Sequence, residues 1–422
     1  MRSRRTWAAA AAAALLMSVV SACSGSPKAL GGADKQPSGS PSASQSPSSS
    51  ADITSSIPAN ATGVKVNRSL RLNVSEGTFQ SVTVTGDSGR IDGSLSGDKL
   101  SWQSTSRLQP GETYRVRGVA VDKHGDQAVY QSRFSTQDLG LDQQAFPSFF
   151  PLPGSTVGVG MPAIIRFDVP ITDKASIERH LHVTSVPAQP GAFHWISDTE
   201  VHWRPENYWQ PGTKVTVDAD IDSVPAGNNI YGQKSRTSTF TVGRSMISKV
   251  NMNTHQMKVF RDGKLIRTIP ITTGEQPKYT TRSGVKVIVE KYRKKRMNSE
   301  TVGIDPNGPD GYNIAGVEYA MRVTYSGEFV HAAPWSVGSQ GHANVSHGCT
   351  GMSTANAQWF FDNIRQGDVV QVVNSNGDTM ETFGNGFGDW NLDWARWTKG
   401  SALTGAKQKT QAETARLSPA AV

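Results

Sequence analysis

The chain has 422 residues, enough for two to four domains, and its 18% charged and 36% hydrophobic residues are typical of an ordinary soluble body with polar loops. The formal net charge is +8 and the pI is near 9.4, a balance that favours anionic partners. The N-terminus carries the features of an export signal. Nucleic acid is therefore excluded as that partner, because an exported protein does not meet the nucleic acids of the cell.

The N-terminal segment predicts export and lipid attachment. Three arginines within the first five residues precede an apolar run over residues 8–20, which is too short to span a bilayer comfortably. The run ends in Val20-Ser21-Ala22-Cys23, which resembles a bacterial lipobox. The resemblance implies a signal peptide over residues 1–22 and a lipid on Cys23, which anchors the protein to the outer face of the bacterial cell membrane. A plain secretory signal with an incidental cysteine is the alternative.

A tether and two β-domains follow. Residues 23–56 are rich in Ser, Pro, Gly and Ala, and such a segment buries too little apolar surface to offset its ordering entropy, so we predict a disordered tether. Short runs with alternating hydrophobicity and turn residues between them then predict two Ig-like β-sandwich modules, over residues 57–140 and 141–244. The four histidines of the second module lack metal-ligand spacing and are interpreted as structural.

An internal repeat supports two copies of one module. Trp102 precedes Pro110-Gly111 by eight positions, and Trp203 precedes Pro211-Gly212 by the same interval. A strand-like run follows each Pro-Gly turn, so the copies share a tryptophan, a turn and a strand. We predict that both tryptophans are core residues and that the modules act as spacers.

Residues 245–375 predict a third, β-rich domain. It opens with a strand–turn–strand pattern with Asp262-Gly263 at the turn. Glycines and prolines make residues 297–320 a predicted mobile loop. The basic run over residues 291–296 is interpreted as a solvated strand end, with attraction of anionic wall polymers as the alternative.

The C-terminal segment, residues 376–422, is a predicted tail with helical, Trp-rich character. Its tryptophans are spaced by four and then three residues, at Trp390, Trp394 and Trp397. This spacing places them on one helical face, and we expect that face to pack against the third domain rather than to bind sugar.

The chemistry is expected near Cys349, one of only two cysteines in the chain. A thiol becomes a nucleophile when an imidazole takes its proton or a positive field lowers its pKa. Three histidines lie close to it in the sequence: His331, His342 and His347. Gly348 and Gly351 let backbone approach a substrate and let N–H groups converge on an oxyanion. If Cys23 is lipidated, Cys349 is an unpaired thiol in an oxidising compartment, which is itself a hint of catalysis.

The order and spacing of these residues resemble a known active site. His331 is followed by fourteen residues and then by Ser346-His347-Gly348-Cys349. This pattern resembles the L,D-transpeptidases, cysteine enzymes with a YkuD-type catalytic domain that cross-link peptidoglycan. The likeness covers about residues 245–374, includes the strand–turn–strand opening, and departs at Gly351, where the family has Asn.

The resemblance implies a reaction as well as a fold. Cys349 would form an acyl-enzyme with a stem tetrapeptide, release D-alanine and pass the acyl group to an amine of a neighbouring stem, giving a 3→3 cross-link without metal or organic cofactor. His331 would be the base, oriented by the Ala332 carbonyl, and backbone N–H groups of Gly348 and Cys349 would hold the oxyanion. The further site residues implied are His347, Tyr312, Ser326, Gly327, Ser346, Gly351 and Met297, with Tyr319 competing for the place of Tyr312.

A helix is predicted over residues 353–365, with Ser353 as its N-cap. If it starts just after Cys349, its positive end faces the sulfur and favours the thiolate.

Three other interpretations remain open from sequence. A metal site could be built from Cys349 and the three nearby histidines, although paired ligand spacing is absent. A carboxypeptidase or thioesterase-like hydrolase would use water as the acceptor. A lipid-anchored wall-binding protein with an inactive site would have no reason to keep a reactive thiolate. Gly351 raises the last two of these alternatives, with Asn344 or Asn356 as possible replacements for the family Asn.

Overall fold

The computed structural model describes residues 49–404, so the predicted signal peptide and Cys23 lie outside the described residues. The predicted mainly β fold is confirmed: strands dominate, and there are only three α-helices between residues 49 and 404. No helix in this part of the chain is long and apolar enough to cross a membrane.

The first domain consists of two four-stranded sheets, ordered β1-β2-β6-β5 and β4-β3-β7-β8. Its strands are β1 (Asp52–Ser55), β2 (Arg71–Ser75), β3 (Gly77–Gly86), β4 (Gly89–Ile91), β5 (Gly93–Leu95), β6 (Ser101–Ser104), β7 (Thr113–Asp122) and β8 (Gln127–Ser135). Alternate residues of these strands point inward, and Trp102 lies in the core as predicted. The tether predicted to reach residue 56 ends earlier, because β1 pairs with β2 and Ala51 is buried.

The second domain repeats the two-sheet arrangement, with orders β10-β12-β15-β14 and β11-β19-β16-β13, and adds a small sheet β17-β18-β9. Its elements are β9 (Gln144–Ala145), β10 (Pro147–Phe150), β11 (Thr156–Val157), β12 (Ala163–Phe167), α1 (Lys174–Glu178), β13 (Leu181–Val186), β14 (Gly191–Trp195), β15 (Glu200–Pro205), β16 (Lys214–Ala219), β17 (Pro225–Gly227), β18 (Ile230–Gly232) and β19 (Arg236–Val242). Trp203 is buried and stacks on Trp209, with ring centroids 5.2 Å apart, so its predicted core role is confirmed.

The third domain contains a five-stranded sheet, β22-β21-β20-β28-β23, and a four-stranded sheet, β24-β25-β26-β27. Its elements are β20 (Met246–Asn251), β21 (Gln256–Arg261), β22 (Lys264–Pro270), β23 (Gly284–Val287), β24 (Glu290–Asn298), β25 (Asn313–Arg322), β26 (Phe329–Ala332), β27 (Thr350–Met352), α2 (Thr354–Asn363) and β28 (Val369–Val373); α3 (Trp394–Thr398) lies in the C-terminal segment. The predicted turn at Asp262-Gly263 joins β21 and β22.

The loop predicted over residues 297–320 is shorter than expected. Strands β24 and β25 pair in register almost to their ends, from Glu290 opposite Arg322 to Asn298 opposite Asn313. Only residues 299–312 connect them, beginning with a 3-10 turn at Ser299–Val302. The glycines and prolines are concentrated in this connection, whereas the second half of β25 contains buried residues between Val317 and Met321.

The C-terminal segment contacts the third domain, and it contacts the second domain as well. Asn391 exchanges hydrogen bonds of 2.7 and 2.9 Å with the backbone of Val285 in β23. The Trp397 indole instead donates to the Ala192 carbonyl in the second domain at 2.9 Å. The tryptophans do not share one helix, since Trp390 belongs to a separate 3-10 turn, Asp389–Asn391.

Candidate active site

The sheet register places the two principal site residues side by side. Strands β26 and β27 are parallel, and His331 pairs with Gly351. Cys349 directly precedes Thr350, the first residue of β27, which pairs with Val330 beside His331. Cys349 and His331 therefore line one cavity.

The orientation of His331 follows from one hydrogen bond. Its ring is buried, with 5% of the residue exposed, and Nδ1 lies 2.8 Å from the Ala332 carbonyl oxygen. Because a carbonyl can only accept, Nδ1 carries the proton and Nε2 is left as the acceptor. Burial lowers the pKa of His331, with the Ala332 carbonyl acting in the opposite direction, so the imidazole is held neutral. The Trp335 ring stacks against it at 5.9 Å.

The Cys349 thiol is protonated at rest, which differs from the thiolate expected from sequence. Burial raises its pKa to about 11, although a backbone hydrogen bond from Phe329 acts in the opposite direction. The sulfur lies 3.6 Å from the Gly327 carbonyl oxygen, to which the thiol donates. Helix α2 has the predicted Ser353 cap, but strand β27 separates it from Cys349, so its first turn does not start at the sulfur.

The backbone around Gly348 is fixed by two hydroxyl groups. Gly348 has φ = 119°, a conformation that favours glycine, and its N–H donates to the Ser346 hydroxyl at 3.2 Å. The Ser346 hydroxyl donates in turn to the Cys349 carbonyl at 2.6 Å. Thr281 donates to the Gly348 carbonyl at 2.8 Å. Because the C=O and N–H of a trans peptide point in opposite directions, the Cys349 N–H points away from Thr281 and is the better oxyanion donor of the two predicted.

The site opens as a cavity of about 420 Å³ that contains most of the predicted residues. Seven of them line it: Cys349, His331, His347, Tyr312, Met297, Ser346 and Gly351. Ser326 does not, because its N–H and hydroxyl are both hydrogen-bonded to Asn385. Three further predicted residues act through their backbone carbonyls, which accept hydrogen bonds from site residues or their neighbours: Ala332, Gly327 and Gly348.

Aromatic rings frame the cavity on the side of His347. The exposed imidazole lies between Tyr279 and Tyr312, with ring centroids 4.5 and 5.0 Å away. Burial, helped by the nearby Cys349, raises the pKa of Tyr312 to about 12, so the phenol is neutral in the working pH range. Tyr319 is excluded from this position, because it is buried and packs edge-on against Phe361.

Gly351 fits a place with little room for a side chain. A Cβ there would lie 2.9 Å from the Ala333 Cβ and 3.1 Å from the Thr272 methyl group. Neither proposed replacement for the family Asn reaches the cavity. Asn344 accepts from Thr273, and Asn356 accepts from an arginine at the far side of the sheet.

Sequence reasoning missed two features of this site. Trp335 lines the cavity although it is 57% exposed. It lies outside any predicted helix or strand, so no hydrophobic periodicity in the sequence indicated its position. Lys286 and Glu328 form a buried ion pair close to Cys349. A buried lysine in the middle of an otherwise apolar strand was the available signal for the second feature.

The residues suggested for a metal site are not brought together. His342 is exposed and does not line the cavity with His331, His347 and Cys349. Across residues 49–404, no group of three or more His, Cys, Asp or Glu side chains is arranged to hold a metal ion.

Two family models match parts of this chain. Residues 245–372 match the L,D-transpeptidase catalytic domain (YkuD), and residues 61–225 match a bacterial Ig domain. The chain is 37% identical to L,D-transpeptidase 2 of Mycobacterium tuberculosis (strain CDC 1551 / Oshkosh), over 83% of this chain and 85% of that protein. It is 33% identical to L,D-transpeptidase 5 of M. tuberculosis (strain ATCC 25618 / H37Rv), over 92% and 83%. A solved structure of LdtMt1 with imipenem is 37% identical, with a TM-score of 0.48 over 55% of this chain and 99% of that one.

Proposed function

This chain belongs to the L,D-transpeptidase family, and from that premise we propose that Cys349 is the nucleophile of a peptidoglycan acyl transfer in which His331 moves the protons. The enzyme is an acyltransferase that acts on peptidoglycan. The observation that supports the assignment of residues is the pairing of β26 with β27, with His331 held through Nδ1 and Cys349 lining the same cavity.

Acylation starts from a neutral thiol and a neutral imidazole. The sulfur attacks the carbonyl carbon of the third residue of a stem tetrapeptide while Nε2 of His331 takes the thiol proton. The carbonyl oxygen becomes an oxyanion, which the Cys349 N–H stabilises; one such donor contributes about 3–4 kcal/mol. The C–N bond to the terminal D-alanine then breaks, and the imidazolium gives its proton to the leaving amine.

Deacylation uses the same groups in reverse order. An amine of a neighbouring stem, the side chain of its diamino acid, attacks the thioester carbonyl while Nε2 takes the amine proton. The C–S bond breaks, the sulfur regains the proton from His331, and a new amide joins the stems. Tyr312, Met297 and Trp335 enclose the space around the sulfur and restrict the access of water as a competing acceptor.

Product analysis tests the assignment. The purified protein and its Cys349→Ala variant are incubated with disaccharide-tetrapeptide and examined by mass spectrometry. We expect a cross-linked dimer that lacks one D-alanine, formed by the wild type and absent with the variant. Loss of D-alanine without dimer would instead assign a hydrolase, and no reaction in either protein would contradict the acyl-transfer proposal.

We infer that the same thiol is a target of carbapenem-type β-lactams. The strained amide carbonyl of such a compound presents the sulfur with the same electrophile as a stem peptide. Intact-protein mass spectrometry should show one adduct on the wild type and none on Cys349→Ala. An unmodified wild-type protein would exclude carbapenem acylation at this site.

Export and lipid anchoring are proposed from the N-terminal sequence. Cys23 at the end of a lipobox-like segment would carry the lipid, and residues 24–48 would tether the folded domains to the membrane. A Cys23→Ser variant should leave the membrane fraction and appear in the medium. Retention of that variant in the membrane would contradict lipid anchoring through Cys23.

Binding of anionic wall polymers is proposed for the basic part of β24. The Lys291 ammonium donates to the Phe361 carbonyl at the C-terminal end of α2. Because it is engaged there, Lys291 is not included in the proposed polymer-binding surface. Arg293 and Lys294 are exposed on the strand, and Lys295 and Arg296 follow them. Replacing these four residues by Gln should weaken salt-sensitive binding to isolated cell wall, and unchanged binding would exclude this surface.

A further inference from the structure

A buried ion pair lies behind the nucleophile and has no part in the reaction above. The Lys286 ammonium donates to the Glu328 carboxylate, and the two residues are only 1% and 6% exposed. A buried pair contributes little net stability, because desolvation of both charges offsets their attraction. Its position in the site indicates a different role.

Glu328 stands between the two backbone groups that contact the sulfur. The Gly327 carbonyl precedes it and accepts from the thiol at 3.6 Å. The Phe329 N–H follows it and hydrogen-bonds to the sulfur. Any displacement of Glu328 therefore moves both peptide groups relative to Cys349.

The Glu328 side chain is held at both oxygens. Oε2 accepts from Lys286, and Oε1 accepts from the Arg282 N–H at 2.9 Å. The backbone is held as well, because its N–H donates to the Thr324 hydroxyl at 2.9 Å. Lys286 is the only one of these partners that carries a buried charge, and it projects from β23 of the opposite sheet.

We propose that Lys286 is a positioning residue for the reaction: it neutralises and anchors Glu328, so that the Gly327 carbonyl and the Phe329 N–H stay against the Cys349 sulfur. This inference rests on the proposed role of Cys349 as the nucleophile. Without the ammonium, the Glu328 carboxylate would keep only the partly exposed Arg282 guanidinium, 3.9 Å from Oε1, as its charged partner.

The charges around the sulfur predict the direction in which the pKa of the Cys349 thiol changes when Lys286 is removed. Glu328 raises the pKa of the Cys349 thiol, whereas Lys286 and Arg322 lower it. Loss of Lys286 alone leaves the opposing influence of Glu328, so the thiolate should become harder to form. The titratable and charged groups that surround the thiol are Glu328, Lys286, Arg282, Arg322, His331, His347 and Tyr312.

The test is the pH dependence of Cys349 alkylation by iodoacetamide, with kcat and KM for the stem tetrapeptide measured in parallel. Lys286→Met should raise the apparent thiol pKa by roughly one unit, slowing alkylation roughly tenfold below that pKa, and should lower kcat more than it changes KM. The double variant Lys286→Met with Glu328→Gln removes both charges and should return the thiol pKa close to that of the wild type. Lys258→Met, an exposed lysine on β21, is the matched control and should have no effect.

Two results would overturn the proposal: a wild-type alkylation profile in Lys286→Met, or a double variant whose thiol pKa stays as high as that of the single variant. If the single variant does not fold, the double variant still decides. The proposal predicts a lowered kcat for it, because the anchor between positions 286 and 328 is lost, whereas a purely structural pair predicts a lower melting temperature together with an unchanged kcat. Alkylation needs no peptidoglycan, so the test remains interpretable even if the proposed acyl transfer fails.

Discussion

At the level of single residues, the reactive pair is held uncharged by its surroundings. Burial lowers the pKa of His331 and raises that of Cys349 to about 11, so the ion pair of thiolate and imidazolium is disfavoured at rest. In the proposed mechanism, proton transfer therefore accompanies the attack on the substrate rather than preceding it. The neutral thiol also resists adventitious oxidation, because oxidation proceeds through the thiolate.

The dependence of activity on acidic pH follows from the neutral imidazole of His331. His331 must be unprotonated to accept a proton, and its pKa lies below the ordinary histidine value of 6.5. As the pH falls, kcat/KM for a stem tetrapeptide should stay constant down to pH 6.5 and should decline only at lower pH. A decline centred at or above 6.5 would show that His331 is not kept neutral by burial.

Gly351 is required by the space around it. Replacing it by Ala forces the Ala333 Cβ or the Thr272 methyl group to move, and such overpacking costs about 1–3 kcal/mol. Urea denaturation should show this loss, together with slower alkylation of Cys349. The matched control is Gly316→Ala, where a Cβ meets nothing within 4 Å. Equal stability of the two variants would mean that the site accepts a side chain at position 351.

At the level of elements, the C-terminal segment fastens the third domain to the second. Its three tryptophan rings surround the guanidinium of Arg204, at 4.7 Å for Trp390, 5.4 Å for Trp394 and 4.4 Å for Trp397. The Arg204 side chain also donates to the Leu392 carbonyl at 2.8 Å. The rings and the backbone carbonyls together stabilise the buried guanidinium, although its Nε has no hydrogen-bond partner.

The tryptophans should contribute unequally to stability. Trp397 is fully buried, and truncation of such a residue to Ala costs about 3–5 kcal/mol. Trp394 is only partly buried, so Trp394→Ala should cost clearly less. Urea denaturation of both variants measures the difference. Equal losses would indicate that the segment is held by its backbone contacts rather than by the buried ring.

Features encoded by neighbouring residues were predictable from sequence, and features that depend on distant partners were not. Ser353 caps α2 as its local pattern indicates, and Ser346, His347 and Cys349 line one cavity with His331. By contrast, the contact between His202 and Asp389 joins residues 187 positions apart, which no periodicity reveals. The raised pKa of the Cys349 thiol was likewise not predictable, because it follows from burial in the folded chain.

At the level of the whole molecule, a charged histidine joins the second domain to the C-terminal segment. His202 is buried, with Nδ1 2.6 Å from Asp389 and Nε2 2.7 Å from Glu200. Burial alone would lower its pKa, but the two carboxylates prevail and raise it to about 9. The second and third domains also share core residues, including Val287 and Val369, so this histidine lies beside a continuous interface.

This histidine should make stability depend on pH. Its folded-state pKa is about 9 and its ordinary value is 6.5, so its contribution is fully present below 6.5 and is lost as the pH rises through 9. The free energy of unfolding in urea should therefore fall between these values in the wild type. His202→Gln should be less stable at pH 6 and show a flatter dependence. Parallel pH profiles for the two proteins would exclude a protonated His202.

The most direct test of the account is capture of the acyl-enzyme by intact-protein mass spectrometry, after brief mixing with disaccharide-tetrapeptide in the absence of an acceptor amine. The account predicts a mass increase equal to the donor minus D-alanine, located on the peptide that contains Cys349, and no increase in the Cys349→Ala variant. An adduct on another residue, or an adduct that persists in the variant, would contradict Cys349 as the nucleophile.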